Sequence, residues 1–258
     1  MKIDTSIVEI YLNSEPSVKY SKHWVYFLIE DGKHIFLEPD TSRIAEVTVV
    51  YSQLMLICQN FRFLNTDLIV DIFGDTSTVV QNVNVLLVVG CPSMYDAMVR
   101  HYNNEQYIIF DLINFANYLT QGYNLNEIAR NFLTYEIVHV LINNDYPASN
   151  LDYYNSLNYI AFHEGFAHLL SFEDNMTDFT PTDEHNGYWS IAKSRLAVAL
   201  QETNPQTQQQ YLVEANSGKY WDKFAAISAF GYLISSIKSL KSIYNQGWHS
   251  FAEKIYHA

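Results

Sequence analysis

The chain has 258 residues, enough for one large domain or two small ones, and 48% of them are hydrophobic against 17% charged, which excludes disorder as the overall state. Fifteen Lys and Arg against 28 Asp and Glu leave a net charge of −13. That balance counts against nucleic acid and anionic membrane surfaces as partners, since both are bound through clustered cations. The longest apolar runs, VNVLLVVG (83–90) and AFGYLISSI (229–237), are too short to span a bilayer. The opening residues, MKIDTSIVEIYLNSEP, contain no apolar stretch leading to a small-residue cleavage site. Cys58 and Cys91 make neither a disulfide framework nor a CxxC pair. The expectation is a cytoplasmic protein with two buried free thiols.

In chain order, the first third alternates short β-type runs with turns: SIVEIYL (6–12), WVYFLIE (24–30) and, after the Asp31-Gly32 turn signal, HIFLE (34–38). Ile44, Val47, Tyr51, Leu54, Cys58 and Phe61 recur at three- and four-residue steps, which predicts a helix over 42–61. Strand-type runs resume at DLIVDIF (67–73), VNVLLVV (83–89) and QYIIFDL (106–112). From 124 onward the pattern is helical. Asn124 stands as N-cap with Glu127 three residues later, a capping-box spacing, and Leu125, Ile128, Phe132, Tyr135, Val138 and Ile142 mark an apolar face. Further helices are predicted over 152–172, 188–202, 220–239 and 240–256, with QETNPQTQQQ (201–210) as a polar loop and helix start. Neither a repeat nor a Gly/Ser- or Pro-rich linker divides the chain. The prediction is one α+β domain over 1–258, a mainly β-sheet lobe at 1–120 followed by a helical lobe at 121–258.

Two helical segments carry groups suited to chemistry, Thr134-Tyr135-Glu136-Ile137-Val138-His139 and His163-Glu164-Gly165-Phe166-Ala167-His168. Side chains four apart share a helix face, while neighbours diverge by about 100°. Tyr135 and His139 therefore share a face with Glu136 beside them. Glu164 and His168 share another, and His163 points elsewhere.

The pair resembles the zincin metallopeptidases, whose H-E-x-x-H helix places two His on zinc and a Glu beside the bound water. It is most similar to the gluzincin branch, in which a Glu from a following helix is the third ligand. The E-G-x-A signature of many predicted zinc proteases of that branch is matched by Glu164-Gly165-Phe166-Ala167, 25 residues after His139. QYIIFDL sits where such proteins carry the edge strand that holds extended substrate, and GKYWDKFAAISAFGYLISSI resembles their closing helix. The resemblance covers roughly 105–240 and implies a zincin-like fold with its active-site helix near 124–144. It also implies zinc as cofactor, a peptide or protein as substrate, His139 and Glu164 as ligands and Glu136 as general base.

The chain departs from the family at one position: Tyr135 stands where the first His belongs. A third ligand must then be Tyr135 or His168. Tyr135 would bind as phenolate, from a side chain whose ordinary pKa is about 10, and would leave the metal less positive charge with which to acidify water. His168 would restore two His and one carboxylate, the usual catalytic composition, or it occupies the slot from which gluzincins orient a ligand. An oxyanion donor is also required, for which Tyr220 and Tyr232 are candidates. Tyr135 equally motivates a rival reading, a zincin-like protein that has lost metal and catalysis and binds a peptide or protein partner. A third reading is metal-dependent hydrolysis of a bond other than a peptide.

Each motif alone fits an ordinary amphipathic helix; their conjunction at this spacing selects the zincin-like reading. His101, His185, His249 and His257 are scattered without ligand spacing. Asn175-Met176-Thr177 is a chance glycosylation match, and the aromatic 15% of the chain is core packing. Neither G-x-G-x-x-G nor G-K-[ST] occurs, which counts against nucleotide chemistry.

Overall fold

A computed structural model describes residues 1–29, 33–93 and 95–258. In chain order its elements are β1 (Lys2–Asp4), α1 (Ser6–Leu12), α2 (Val25–Leu28), α3 (Ile44–Gln59), α4 (Thr66–Phe73) and α5 (Ser77–Asn82). Then come β2 (Asn84–Val88), β3 (Ala97–Tyr102), β4 (Glu105–Asp111), α6 (Leu112–Thr120), α7 (Leu125–Asp145) and α8 (Tyr153–Ser171). The chain closes with α9 (Asp183–Leu200), α10 (Pro205–Asn216), α11 (Phe224–Ser235), α12 (Leu240–Asn245) and α13 (Phe251–His257). The protein is α+β, and among the described residues all strands precede residue 112. Two compact units arise, Met1–Arg62 with Ser77–Glu136 and Phe63–Thr76 with Ile137–Ala258. Among the described residues, no helix is long and apolar enough to cross a membrane.

The expectation of a strand-rich first half is corrected. The runs at 6–12 and 67–73 and the core of 24–30 are helices. Their buried residues, Ile7, Val8 and Tyr11 in α1 and Ile69 and Ile72 in α4, fall at helical steps, so a single stripe is covered. The 34–38 segment is irregular, tied down by Ile35 N donating to Tyr26 O at 2.7 Å and Leu37 N to Gly90 O at 2.9 Å. The Asp31-Gly32 turn signal lies outside the described residues.

In the first unit a four-stranded sheet has the order β1-β2-β4-β3. β1 and β4 both run parallel to β2, and β3 runs antiparallel to β4. QYIIFDL is therefore an interior strand, and the sheet's edges are β1 and β3. Val85–Val88 of β2 and Ile108–Asp111 of β4 are buried without alternation, as parallel strands covered on both faces require. Asn103 and Asn104, both with positive φ (51° and 63°), turn β3 into β4 through a two-residue loop of the kind that matches strand twist. At the end of β4 the wholly buried Asp111 caps α6 by accepting from Asn114 N at 2.9 Å, and accepts from Cys91 N at 2.7 Å. Both cysteines are buried free thiols. Asn124 caps α7, accepting from Asn126 N at 3.0 Å while its amide donates to Glu127 at 2.9 Å.

In the second unit α8 is the central rod, buried without interruption from Ala161 to Ser171. A helix buried on all faces has no polar side to present, so every polar group on it must be accommodated inside. Asn158 does this by accepting from Ala252 N at 2.8 Å and donating to Tyr154 O at 2.9 Å. Gly165 lets α11 cross at close range: a Cβ there would stand 2.4 Å from the Cβ of Ala229. The helix expected over 220–239 starts only at Phe224, after a 3-10 turn at Tyr220–Asp222. The one expected over 240–256 is parted near Gly247, whose φ of +70° and packing against the Tyr146 ring favour glycine.

Candidate functional site

Polar groups from α7, α8 and α10 gather around the carboxylate of Glu164. His139 on α7 brings its Nε2 to 3.8 Å from Glu164 Oε1. His168, one turn along α8 from Glu164, brings its Nδ1 to 3.7 Å from the other oxygen, Oε2. Asn216, the last residue of α10, donates from Nδ2 to Oε1 at 3.5 Å. Exposure grades the group from inside to outside: the His168 side chain is 2% exposed, Glu164 12% and His139 16%. Solvent thus reaches the cluster on the His139 side.

Aromatic packing sets the imidazoles. The His163 ring lies nearly parallel to that of His139, with centroids 6.0 Å apart, and has Tyr159 at 4.0 Å on it. His163 does diverge from Glu164 on α8, and yet it joins the site through this contact with another element. Tyr220 sets its ring 5.1 Å from His168, whereas Tyr232 packs on Phe251. The Tyr220 hydroxyl is pushed to a higher pKa, chiefly by burial and then by Glu173.

Burial keeps all three imidazoles neutral at pH 7. His163 is pushed down to about 3, by desolvation first and His139 second. His168 is pushed down to about 4 by desolvation, with Glu164 opposing and Lys223 and His139 reinforcing. His139 is lowered by desolvation against the pull of Glu164, with Lys223 reinforcing. A neutral imidazole is the form that binds metal, since the coordinating nitrogen must have lost its proton.

That chemistry is the test of whether zinc suits these residues. Two ligands about 2.0–2.2 Å from a tetrahedral zinc stand roughly 3.3–3.6 Å apart. The His139–Glu164 separation of 3.8 Å is within a few tenths of an ångström of that, and too long for a hydrogen bond. The pair fits. His168 lies against the opposite oxygen, and among the described residues no group of three or more His, Cys, Asp or Glu is placed to hold a metal ion. Tyr135 and Glu136, both half-buried, precede His139 by four and three residues on the unbroken α7.

Two participants, Asn216 and Lys223, carry no motif of their own, and His163, though it opens the second motif, is expected from spacing to point elsewhere. Lys223 and Tyr220 do fall within the segment that resembles the family's closing helix, which was the available signal for them. Of the other histidines, His185 completes a capping box with Thr182 at the start of α9, and His249 stacks on Trp248 at 3.8 Å. Compared with family models, curated proteins and solved structures, the chain matches none.

Proposed function

We propose that this chain is a zincin-like, zinc-dependent peptidase in which His139 and Glu164 hold the metal and Glu136 is the general base. One observation carries the reading: the carboxylate of Glu164 lies among neutral imidazoles inside a buried helix, with His139 at ligand spacing. The likeness of the paired motifs to zincin metallopeptidases supplies the peptide bond as substrate. Zinc, when bound, would acidify a water and polarise the scissile carbonyl. The chain's own part is to hold the ligands neutral or anionic and to move a proton. Glu136 takes that proton from the attacking water and delivers it to the departing amine.

A second reading has a specific observation in its favour. Tyr135 occupies the position of the family's first ligand, and His, Cys, Asp and Glu form no three-member metal group among the described residues. It is a zincin-like protein without metal that binds a peptide or protein partner. Elemental mass spectrometry on protein purified without chelators or a metal-affinity tag separates the two. The first reading expects about one zinc per chain and, in Glu136→Gln, retained zinc with hydrolysis lowered by about 10²–10⁴-fold. Protein that takes up no zinc after soaking and dialysis leaves only the second. Hydrolysis that survives Glu136→Gln removes Glu136 as base.

A further inference from the structure

We propose that a cavity between the end of α3 and the start of α7 binds a small organic oxyanion, an aliphatic carboxylate or phosphate monoester, whose charged end is held by Arg62. The cavity measures about 530 Å³, within the roughly 300–1,000 Å³ usual for small-molecule sites. Its lining belongs wholly to the first compact unit, so the inference is independent of the metal reading above. Leu56 comes from the last turn of α3, and Asn60, Phe61 and Arg62 from the chain just beyond it. Asn126 and Arg130, four residues apart on one face of α7, complete the polar part of the wall.

The chain has five arginines in a net charge of −13, and four of them have guanidinium partners within the protein. Arg43 donates to Glu46 and Asn117, and Arg100 to the carbonyls of Leu28, Ile29 and Val99. Arg195 pairs with Glu214, and Arg130 donates from Nε to Arg62 O at 3.1 Å. Arg62 is exposed, and among the described residues its guanidinium has neither a hydrogen bond nor an ion pair. The Arg130 bond ties the backbone of Arg62 to α7, so both arginines line one cavity, and no Asp or Glu lines it with them. The guanidinium fork matches the paired oxygens of a carboxylate or phosphate. Asn60 donates from both its backbone N and its Nδ2 to Leu56 O at 3.0 Å, which occupies a last-turn carbonyl that would repel an anion. Leu56 is 61% exposed, and with Phe61 it offers an apolar wall for a hydrocarbon chain. One uncommitted cation in so acidic a chain suits a small anion and not a polyanion.

Calorimetric titration of the whole chain tests this with octanoate, octyl phosphate, inorganic phosphate and octanol, all in chelator so that no anion binds through a metal. Octanoate or octyl phosphate is expected to bind one per chain, and the tighter of the two identifies the headgroup. Arg62→Gln should weaken it by about ten- to a hundredfold, as loss of charge-assisted hydrogen bonds does. The same variant should melt as wild type does, because the side chain is exposed and has no partner to lose. Inorganic phosphate should bind at least about tenfold more weakly than octyl phosphate, having no chain to lay on Leu56 and Phe61. Binding of neither octyl anion at millimolar concentration, octanol binding as tightly as octanoate, or wild-type affinity in Arg62→Gln overturns the proposal. Inorganic phosphate as tight as octyl phosphate overturns the organic ligand.

Discussion

At Gly165 the absence of a side chain does more than the freedom of the backbone. The residue lies within the buried run of α8, next to Glu164, and an added Cβ would meet the Cβ of Ala229 at 2.4 Å and Leu233 Cδ1 at 3.4 Å. Side-chain carbons do not approach that closely, so α8 and α11 would have to part. Overpacking of this kind costs about 1–3 kcal/mol, which outweighs the roughly 1 kcal/mol that alanine gains over glycine in a helix. Gly165→Ala is therefore expected to lower the urea midpoint, by about 1 kcal/mol or more of stability, and Ala229→Gly in the same chain should recover part of the loss. A midpoint equal to wild type would mean that the crossing relaxes freely. The glycine of the E-G-x-A motif thus has a packing reason: it keeps α11 close beside the residue that presents the carboxylate to His139.

The elements are held at their ends by asparagines that sit in unusual places. Asn65, buried and left-handed at φ 53°, precedes α4 and donates to Leu170 O at 3.1 Å and Glu173 O at 2.6 Å, while accepting from Met176 N at 2.7 Å. One side chain thus satisfies the orphan carbonyls at the end of α8 and the turn beyond it. Asn65→Ala removes all three bonds and strands buried backbone groups, at about 1–3 kcal/mol each way, so a loss of about 3 kcal/mol is expected, with amide exchange fastest around 170–176. Unchanged protection there would sink the assignment. None of this was visible as a motif, and the same limit governs what the sequence revealed elsewhere. The long helices α3, α7 and α8 are legible because their apolar residues repeat over several turns. α1 and α4 are short and rich in Ile and Val, and over seven or eight residues an apolar run reads equally as a buried strand. β3, with the sequence AMVRHY, has too little apolar alternation to announce itself, although the Asn103-Asn104 pair after it was a usable turn signal. At the site, His139, Glu164 and His168 stand out because their spacing is local. His163 and Asn216 join only through contacts between elements, Asn216 from 52 residues beyond Glu164.

For the molecule as a whole, buried titratable groups set the response to acid, and their signs can be worked through. Unfolded imidazoles take up protons at about pH 6.5, whereas His163 and His168 in the fold resist protonation down to about 3 and about 4. Between 6.5 and 4 the unfolded chain binds protons that the folded chain refuses. Each of the two therefore removes about 1.4 kcal/mol of stability per pH unit of acidification, and His139 and His23, both lowered chiefly by burial, add to the loss. Asp111 opposes them. Burial raises its carboxyl from 3.8 to about 6, so between those values the folded state holds a proton that the unfolded state has released, and acidification stabilises by a similar amount per unit. Two to four protons against one leave a net loss of about 1–4 kcal/mol per unit. The melting temperature in chelator is expected to be flat above pH 7 and to fall steeply from about 6.5 toward 4. Replacing Asp111 with Asn should steepen that fall, because its opposing proton is gone, whereas His163→Gln should make it shallower. A flat profile through this range would contradict neutral, buried imidazoles at the site. Zinc should steepen the acid limb further if His139 is a ligand, because each proton taken up by that imidazole then also displaces bound metal.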